Sequence, residues 1–172
     1  MEYEIKEFES KSLKLVNFEN KSLKNSSFIN CTFENCNLSN VIFKNTKIQD
    51  CNFKNCKILG LNFAECNKLF ISFNFDKCLI SMSFFSDLDL KKMSFNNCQI
   101  FDCEFNHTNL THASFENSDL KNTCFSNSNL SFTSFRNAKN YIIDPNQNYL
   151  KKTKFSLPDV IGLLNRYDIE IE

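Results

Sequence analysis

The chain has few of the residues that commonly turn or break a backbone. Only two glycines and two prolines occur among its 172 residues, and tryptophan is absent. Basic and acidic side chains number twenty each, so the whole chain has no excess charge with which to hold or imitate phosphates. The first residues are charged and lack the apolar core of a signal peptide, and no apolar run approaches the roughly 18 residues of a membrane span. We therefore expect a cytoplasmic protein that does not bind membranes.

Cysteine, in contrast, is common, with nine residues in the chain. In a reducing cytosol these cysteines stay as thiols, and their odd number also argues against a scaffold of disulfides. Metal binding is another common reason for many cysteines, but it needs thiolates that converge at short spacings such as C-x2-C. The cysteines here follow a longer spacing instead.

The sequence repeats with a period of five residues. Every fifth residue from Phe8 to Phe63 is apolar, and so is every fifth residue in a second series from Phe70 to Phe135. A helix repeats at about 3.6 residues and a strand at two, so neither keeps one face apolar at a spacing of five. A small residue, mostly Cys, Ser, Thr or Ala, stands two residues before most of these apolar centres. We infer that this second position also points into the core.

Most of the cysteines occupy this small position. They are Cys31, Cys36, Cys51, Cys56, Cys78, Cys98 and Cys103. Because whole repeats separate them, we interpret them as core filler rather than metal ligands, since a free cysteine behaves as a small buried hydrophobe. Cys66 keeps the same phase before Lys68, and only Cys124 stands elsewhere, directly before Phe125. We expect Cys124 to face solvent and to be the most reactive thiol.

The repeat is carried most clearly by CTFEN, CNLSN, CNFKN, ASFEN and SDLKN. This pattern resembles the pentapeptide-repeat family over about residues 8–140. The resemblance implies an all-β solenoid, a right-handed quadrilateral β-helix with four pentapeptides per turn, one on each side. In that fold like residues stack every twenty positions. The core ladders so implied comprise Phe85, Phe95, Phe105, Phe115, Phe125, Phe135, Leu110 and Leu120.

The scarcity of glycine is explained two residues after each apolar centre. That position holds mostly Asn, with some Asp, His and Gly, from Asn20 to Gly60 and again from Asn97 to Asn127. These residue types tolerate the positive φ that a type II turn requires, so we predict that asparagine turns the corners. The two histidines, His107 and His112, belong to this series, and we interpret them as corner residues rather than ligands or catalysts.

The period also predicts the division of the chain. Residues 1–7 form a lead-in, residues 8–140 the β-helix, and residues 141–172 a C-terminal segment for capping or dimerisation. Between Phe63 and Phe70 the spacing is seven, so two residues are inserted and a phase break is predicted at residues 64–69. This insertion is either a tolerated loop or a small recognition loop.

The C-terminal segment predicts a short α-helix over about residues 157–167. Ser156 and Asp159 have the spacing of a capping box, and apolar residues follow at helical spacing. The helix either caps its own β-helix or, as resemblance to dimeric family members implies, packs across a two-fold axis. We favour a homodimer, with interface candidates Leu157, Val160, Ile161, Leu164 and Tyr167.

No catalytic constellation, phosphate-binding loop or metal cluster is recognisable, so we expect neither an enzyme nor a cofactor. The first hypothesis for function is a protein-interaction rod with an unidentified partner. The second, implied by resemblance to quinolone-resistance members of the family, is a DNA mimic that modulates DNA gyrase. The candidate partner-binding residues are the outward carboxylates Asp89, Glu104, Glu116 and Asp119. Direct binding to nucleic acid is not expected, because the chain shows no basic stripe with interleaved aromatic residues.

Overall fold

The structure, a computed structural model, describes residues 6–69, 71–164, 167, 169 and 170. These residues form a parallel β-solenoid of about seven turns. Residues twenty apart pair in successive turns, as Phe8 does with Phe28 and Phe105 with Phe125. Since an apolar centre recurs every five residues, each turn has four sides. We number these sides 1 to 4 in chain order, beginning with the side that contains Phe8.

Short parallel strands stack along each side. Side 1 contains β1 (Glu7–Glu9), β3 (Ser27–Ile29) and β5 (Lys47–Gln49). Side 2 contains β2 (Ser12–Lys14), β4 (Thr32–Glu34), β6 (Cys51–Lys54), β8 (Phe73–Asp76), β10 (Phe95–Asn96), β14 (Ser134–Phe135) and β16 (Lys154–Phe155). Side 3 contains β7 (Lys57–Leu59), β9 (Leu79–Ser81) and β11 (Gln99–Phe101). Side 4 contains a 3-10 helix (Phe63–Glu65), β12 (Glu104–Asn106), β13 (Cys124–Ser126) and β15 (Ile142–Ile143).

The corners have the predicted backbone conformation. A positive φ is confirmed throughout both corner series, from Asn20 at 58° to Gly60 at 70° and from Asn97 at 56° to Asn127 at 52°. Bulky residues at equivalent positions adopt it as well, for example Phe132 at 61°. The repeat therefore imposes the corner conformation, and asparagine reduces its cost.

Phenylalanine rings on sides 2 and 4 fill the core. On side 4 the ring centroids of Phe85 and Phe105 are 4.6 Å apart, and on side 2 those of Phe95 and Phe115 are 4.8 Å apart. Across the core, Phe95 and Phe105 meet edge to face, with 5.4 Å between centroids. The predicted ladder residues are all buried; Phe125, at 4% exposure, is the most accessible of them.

Small residues complete the core, and their polar atoms bond to the backbone. The Ser118 hydroxyl donates to the carbonyl of Phe95 over 2.6 Å, and the Cys36 thiol donates to the carbonyl of Leu13 over 3.2 Å. These bonds satisfy side-chain donors that would otherwise be buried without partners.

The phase break lies on side 1. Cys66 is buried as the repeat requires, but Lys68 and Leu69 are exposed, and Phe70 lies outside the described residues. After the break Phe53 pairs with Phe75, two residues later than the period requires. Two residues are thus inserted, and the stacking of side 2 continues past them.

The β-helix extends beyond its predicted end at Asn140. Strand β15 pairs with β13, and β16 pairs with β14. The period of five did not indicate this extension, because the register shifts within it. Cys124 pairs with Ile142, two residues earlier than the period requires, whereas Ser134 pairs with Lys154 in the regular register.

The C-terminal helix is shorter than predicted and of another type. It is a 3-10 helix over Asp159–Leu164 rather than an α-helix over residues 157–167, of which residues 165 and 166 lie outside the described part. So short a segment gains little from helix propagation, and Gly162 lies within it. The Ser156 hydroxyl, which a capping box would use, instead accepts a hydrogen bond from the Asn137 N–H.

Candidate interaction surfaces

The four carboxylates predicted to bind a partner do not form one surface. Asp89 lies on side 1, Glu116 on side 2, Asp119 on side 3 and Glu104 on side 4. Asp89 forms an ion pair with Lys91 over 3.1 Å, and Asp119 one with Lys139 over 3.6 Å. Glu116 accepts a hydrogen bond from the Ser134 hydroxyl. The chain sequence places them all outward, but each faces a different direction.

Charges of both signs alternate along side 2. The register of the strands places Lys14, Glu34, Lys54 and Asp76 in one column. The Lys14 ammonium lies 2.7 Å from the Glu34 carboxylate, and its hydrogen bond lowers the pKa of Glu34. This column is therefore close to neutral and does not imitate the continuous negative charge of DNA.

An exposed apolar patch lies where side 3 meets side 4 in the middle turns. We call it the Met82 patch, and it consists of Leu59, Leu79, Met82, Phe84 and Phe101. Met82 is 56% exposed and Phe84 42% exposed, and the other three side chains are half-buried. The strand register aligns Leu59, Ser81 and Phe101 in one column, and the Met82 N–H donates to the Phe101 carbonyl. These residues are thus neighbours on the outside of the rod.

The Met82 patch is not apparent from the linear sequence. Its residues occupy outward or corner positions of four separate repeats, where the neighbouring repeats carry mostly Ser, Asn and charged residues. The sequence signal that could have indicated the patch is the presence of apolar residues at positions that point outward. Only the register of the strands shows that they fall on the same edge.

The predicted dimerisation residues lie on and around the C-terminal 3-10 helix. Leu157 is 81% exposed, Tyr167 46%, Ile161 41% and Leu164 40%, whereas Val160 is partly buried. Leu163 packs against the core of the solenoid. The segment therefore covers part of its own β-helix and also presents apolar side chains outward.

The thiols and histidines do not assemble into a site. Cys124 is exposed, as predicted, and the other eight cysteines are buried. Burial raises the pKa of the Cys51, Cys66 and Cys103 thiols to about 12, so these thiols stay protonated near neutral pH. Both histidines lie at corners, within the part of the chain that is described, and no group of His, Cys, Asp and Glu there is arranged to hold a metal ion.

The two helices in the described part of the chain have three and six residues, so neither reaches the length of a membrane span.

Together, five-residue sides, stacked apolar centres and positive-φ corners define the class of quadrilateral β-helix proteins. The sequence matches agree: the family description "pentapeptide repeat region" matches residues 26–102, and "pentapeptide repeats" in eight copies matches residues 103–139. The chain belongs to the pentapeptide-repeat family.

Solved structures with a similar chain path share little sequence with this protein. A trypsin-treated form of QnrB1, a plasmid-mediated fluoroquinolone resistance protein, is 16% identical, with a TM-score of 0.49 over 98% of each chain. HetL, involved in the regulation of heterocyst differentiation in the cyanobacterium Nostoc sp., is 10% identical, with a TM-score of 0.38 over 88% of this chain and 87% of HetL. No curated protein matches the chain. The family assignment rests on the repeat matches, and these likenesses carry no functional argument.

Proposed function

We propose that this protein is a non-enzymatic interaction rod that binds a protein partner through the Met82 patch. The observation that carries this proposal is the exposure of Met82 and Phe84 beside three half-buried apolar side chains. Contiguous apolar surface of this kind on a soluble protein commonly marks a binding site for another protein.

The surroundings of the patch suit such a contact. Lys57 pairs in register with Leu79, and Glu104 is the bridge partner of Phe84, so charged side chains border the apolar residues. An apolar centre with a polar rim is the usual arrangement of a protein interface, in which large central side chains provide most of the binding energy. A partner with apolar side chains that cover Met82 and Phe84 fits this surface.

A pull-down that compares two variants tests the proposal. The double variant Met82→Ser/Phe84→Ser removes the exposed centre of the patch, whereas Leu15→Ser/Leu69→Ser removes exposed apolar side chains elsewhere, which are 79% and 66% accessible. We expect a protein that the wild type and the control variant retain and the patch variant loses. Equal recovery of every retained protein by all three would overturn the proposal. Circular dichroism checks that each variant is folded.

The alternative, a DNA mimic that modulates DNA gyrase, requires negative charge along one side of the rod. It has less support, because Asp89, Glu104, Glu116 and Asp119 lie on four different sides. A supercoiling assay with the protein titrated into gyrase, with and without a fluoroquinolone, tests this alternative. Inhibition or protection from the drug would establish it, and no effect on either readout would exclude it.

Two further proposals concern the state of the protein in the cell. Every cysteine in the structure is a free thiol, which is consistent with a reducing compartment, and we propose a cytoplasmic location. The exposed apolar side chains of the C-terminal segment support a homodimer.

A further inference from the structure

A second feature that the linear sequence does not reveal lies where side 1 meets side 2 in the last four turns. Backbone bonds place Lys92, His112, Phe132 and Lys152 one above another at this corner. Further cations flank the corner on both sides. We define the basic edge as Lys92, Arg136, Lys151, Lys152 and Lys154, all of them exposed.

The charges of the basic edge are not neutralised by nearby carboxylates. Within the described residues, none of its five cations has a carboxylate oxygen within the 4.0 Å of an ion pair. Asp89 is paired with Lys91, whereas Glu116, which accepts a hydrogen bond from the Ser134 hydroxyl, and Asp76, which accepts one from the Asn97 amide, keep their negative charges. A protein with equal numbers of basic and acidic residues thus carries a local excess of positive charge at this corner.

Phe132, the aromatic residue at this corner, is not available for stacking on nucleic-acid bases. The ring of Phe132 stacks on His112, with 4.7 Å between centroids, and the Lys152 ammonium lies 5.8 Å from its centroid. Both neighbours in the column cover the ring, whereas proteins that bind single strands present open aromatic faces to the bases. The stack instead holds His112 and Lys152 in line along the corner.

The arrangement of the cations identifies the kind of anion that fits. Lys151 lies on side 1, Arg136 and Lys154 lie on side 2, and Lys92 and Lys152 lie at the corner between them. An extended acidic peptide laid on one side would meet only part of this set. The two phosphate rows that border the major groove of a duplex, about 12 Å apart, can meet cations on both sides of a projecting corner.

We propose that the basic edge binds the phosphate backbone of double-stranded nucleic acid. Lys92 lies three turns from Lys152, which is about 14 Å at the roughly 4.8 Å spacing of stacked strands, and the partly exposed Ser131 lies between them as an additional donor to phosphate. This proposal differs from the sequence-based expectation of no direct contact with nucleic acid. The basic edge is diagonally opposite the Met82 patch, so both surfaces can be occupied together.

Fluorescence anisotropy with a labelled duplex of about twenty base pairs tests the proposal, over a series of salt concentrations. Five phosphate contacts predict that the logarithm of affinity falls with the logarithm of salt concentration with a slope of about −4.5. The variant Lys92→Gln/Lys152→Gln/Lys154→Gln should bind at least about tenfold more weakly, with a slope reduced by about 3. The control Lys44→Gln/Lys77→Gln/Lys121→Gln removes the same charge elsewhere and should bind as the wild type does.

Three results would overturn the proposal. The first is the absence of salt-dependent binding to the duplex by the wild type. The second is an equal loss of affinity in the control variant, which would show that net charge rather than the edge matters. The third is tighter binding to polyglutamate or to a single strand at the same charge concentration, which would assign the edge to an acidic protein or to unpaired nucleic acid.

Discussion

Asparagine at the corners of this molecule does what glycine does in most tight turns. Asn97, Asn117 and Asn137 all have positive φ, and their side chains form a ladder in which the Asn117 amide donates to Asn97 over 3.3 Å and the Asn137 amide donates to Asn117 over 3.1 Å. Glycine would provide the conformation but not the bond. At Gly60 the space is limited as well, because a Cβ atom there would lie 2.8 Å from the Asn40 side-chain oxygen.

Phe115 provides a direct test of the stacked core. Its ring is fully buried and lies between Phe95 and Phe135, at centroid distances of 4.8 Å and 5.1 Å. We expect Phe115→Ala to lower the free energy of unfolding in urea by about 3–5 kcal/mol. The control Phe101→Ala removes a ring from the outside and should cost about 1 kcal/mol or less. A loss below about 1 kcal/mol for Phe115→Ala would contradict the ladder.

Thiol reactivity distinguishes Cys124 from the other cysteines. Because it alone is exposed, iodoacetamide at pH 8 should add one group per native chain. The same reaction in urea should modify all nine cysteines, counted by mass spectrometry. Cys124→Ser should give a native chain with no adduct, and a second adduct on the native wild type would show that the buried thiols are accessible.

The buried thiols also predict how stability depends on pH. Burial raises the pKa of Cys51, Cys66 and Cys103 from 9.0 to about 12. Above pH 9 the unfolded thiols lose protons that the folded ones keep, so their contribution is complete below pH 9 and is lost as pH rises towards 12. Each thiol removes at most about 1.4 kcal/mol per pH unit in this range.

Urea unfolding measured between pH 7.5 and 10.5 checks this prediction. The wild type should lose stability steeply above pH 9, and the variant Cys51→Ala/Cys66→Ala/Cys103→Ala should show a shallower decline. Parallel curves for the two proteins would show that these thiols do not carry the effect.

At the scale of elements, the two-residue insertion can be removed without loss of the solenoid. Lys68 and Leu69 are exposed. Beyond them, the Ser72 hydroxyl donates to the Asp50 carboxylate of the preceding turn and accepts from the Asp50 N–H. Deletion of Lys68 and Leu69 restores the five-residue spacing between Phe63 and Phe70 in the sequence. We expect an unfolding free energy within about 1 kcal/mol of the wild type.

A matched deletion measures how much an unbroken phase of the repeat contributes to stability. Removal of Lys121 and Asn122, from an uninterrupted repeat, shifts every later apolar centre and should unfold the last turns, with loss of strand signal in circular dichroism. If both deletions cost the same, the insertion is part of the fold rather than a tolerated loop.

The strands and corners were predictable wherever the five-residue period continues without interruption. Phe85 to Phe135 and Asn97 to Asn127 follow the period, and their places in the core and at the corners follow from it. The last turn was not predictable, since Tyr141 and Ile143 reach the core through a local change of register. The 3-10 helix was also not predictable, because the apolar spacing of its residues is equally typical of an α-helix.

At the scale of the whole molecule, interaction surfaces depend on which turns are neighbours. Met82 and Phe101 are nineteen positions apart, and Lys92 and Lys152 are sixty apart, yet each pair lies on one edge. The carboxylates Asp89 and Glu104 are closer in sequence than the second pair but face different sides. The repeat shows which residues point outward. To know which side of the β-helix each of them faces, one also needs the register of every turn, including the two-residue insertion.

The C-terminal end presents apolar side chains that a second copy of the chain could cover. A solenoid must cover its terminal turn, and here Leu163 packs inward while Leu157 and Ile161 remain 81% and 41% exposed. A second copy related by a two-fold axis would bury these outward side chains against their own equivalents. We therefore expect sedimentation equilibrium to give the mass of two 20.1 kDa chains.

Substitutions at that end separate dimerisation from capping. Leu157→Ser/Ile161→Ser should give a folded single chain, because it removes outward apolar area and leaves Leu163 in place, whereas Leu15→Ser/Leu69→Ser should remain dimeric. A single-chain mass for the wild type at high micromolar concentration would refute the dimer and assign the segment to capping alone. If the dimer forms, the Met82 patch and the basic edge are each present twice on one rod, so a partner with two matching sites would bind with an affinity increased by effective concentration.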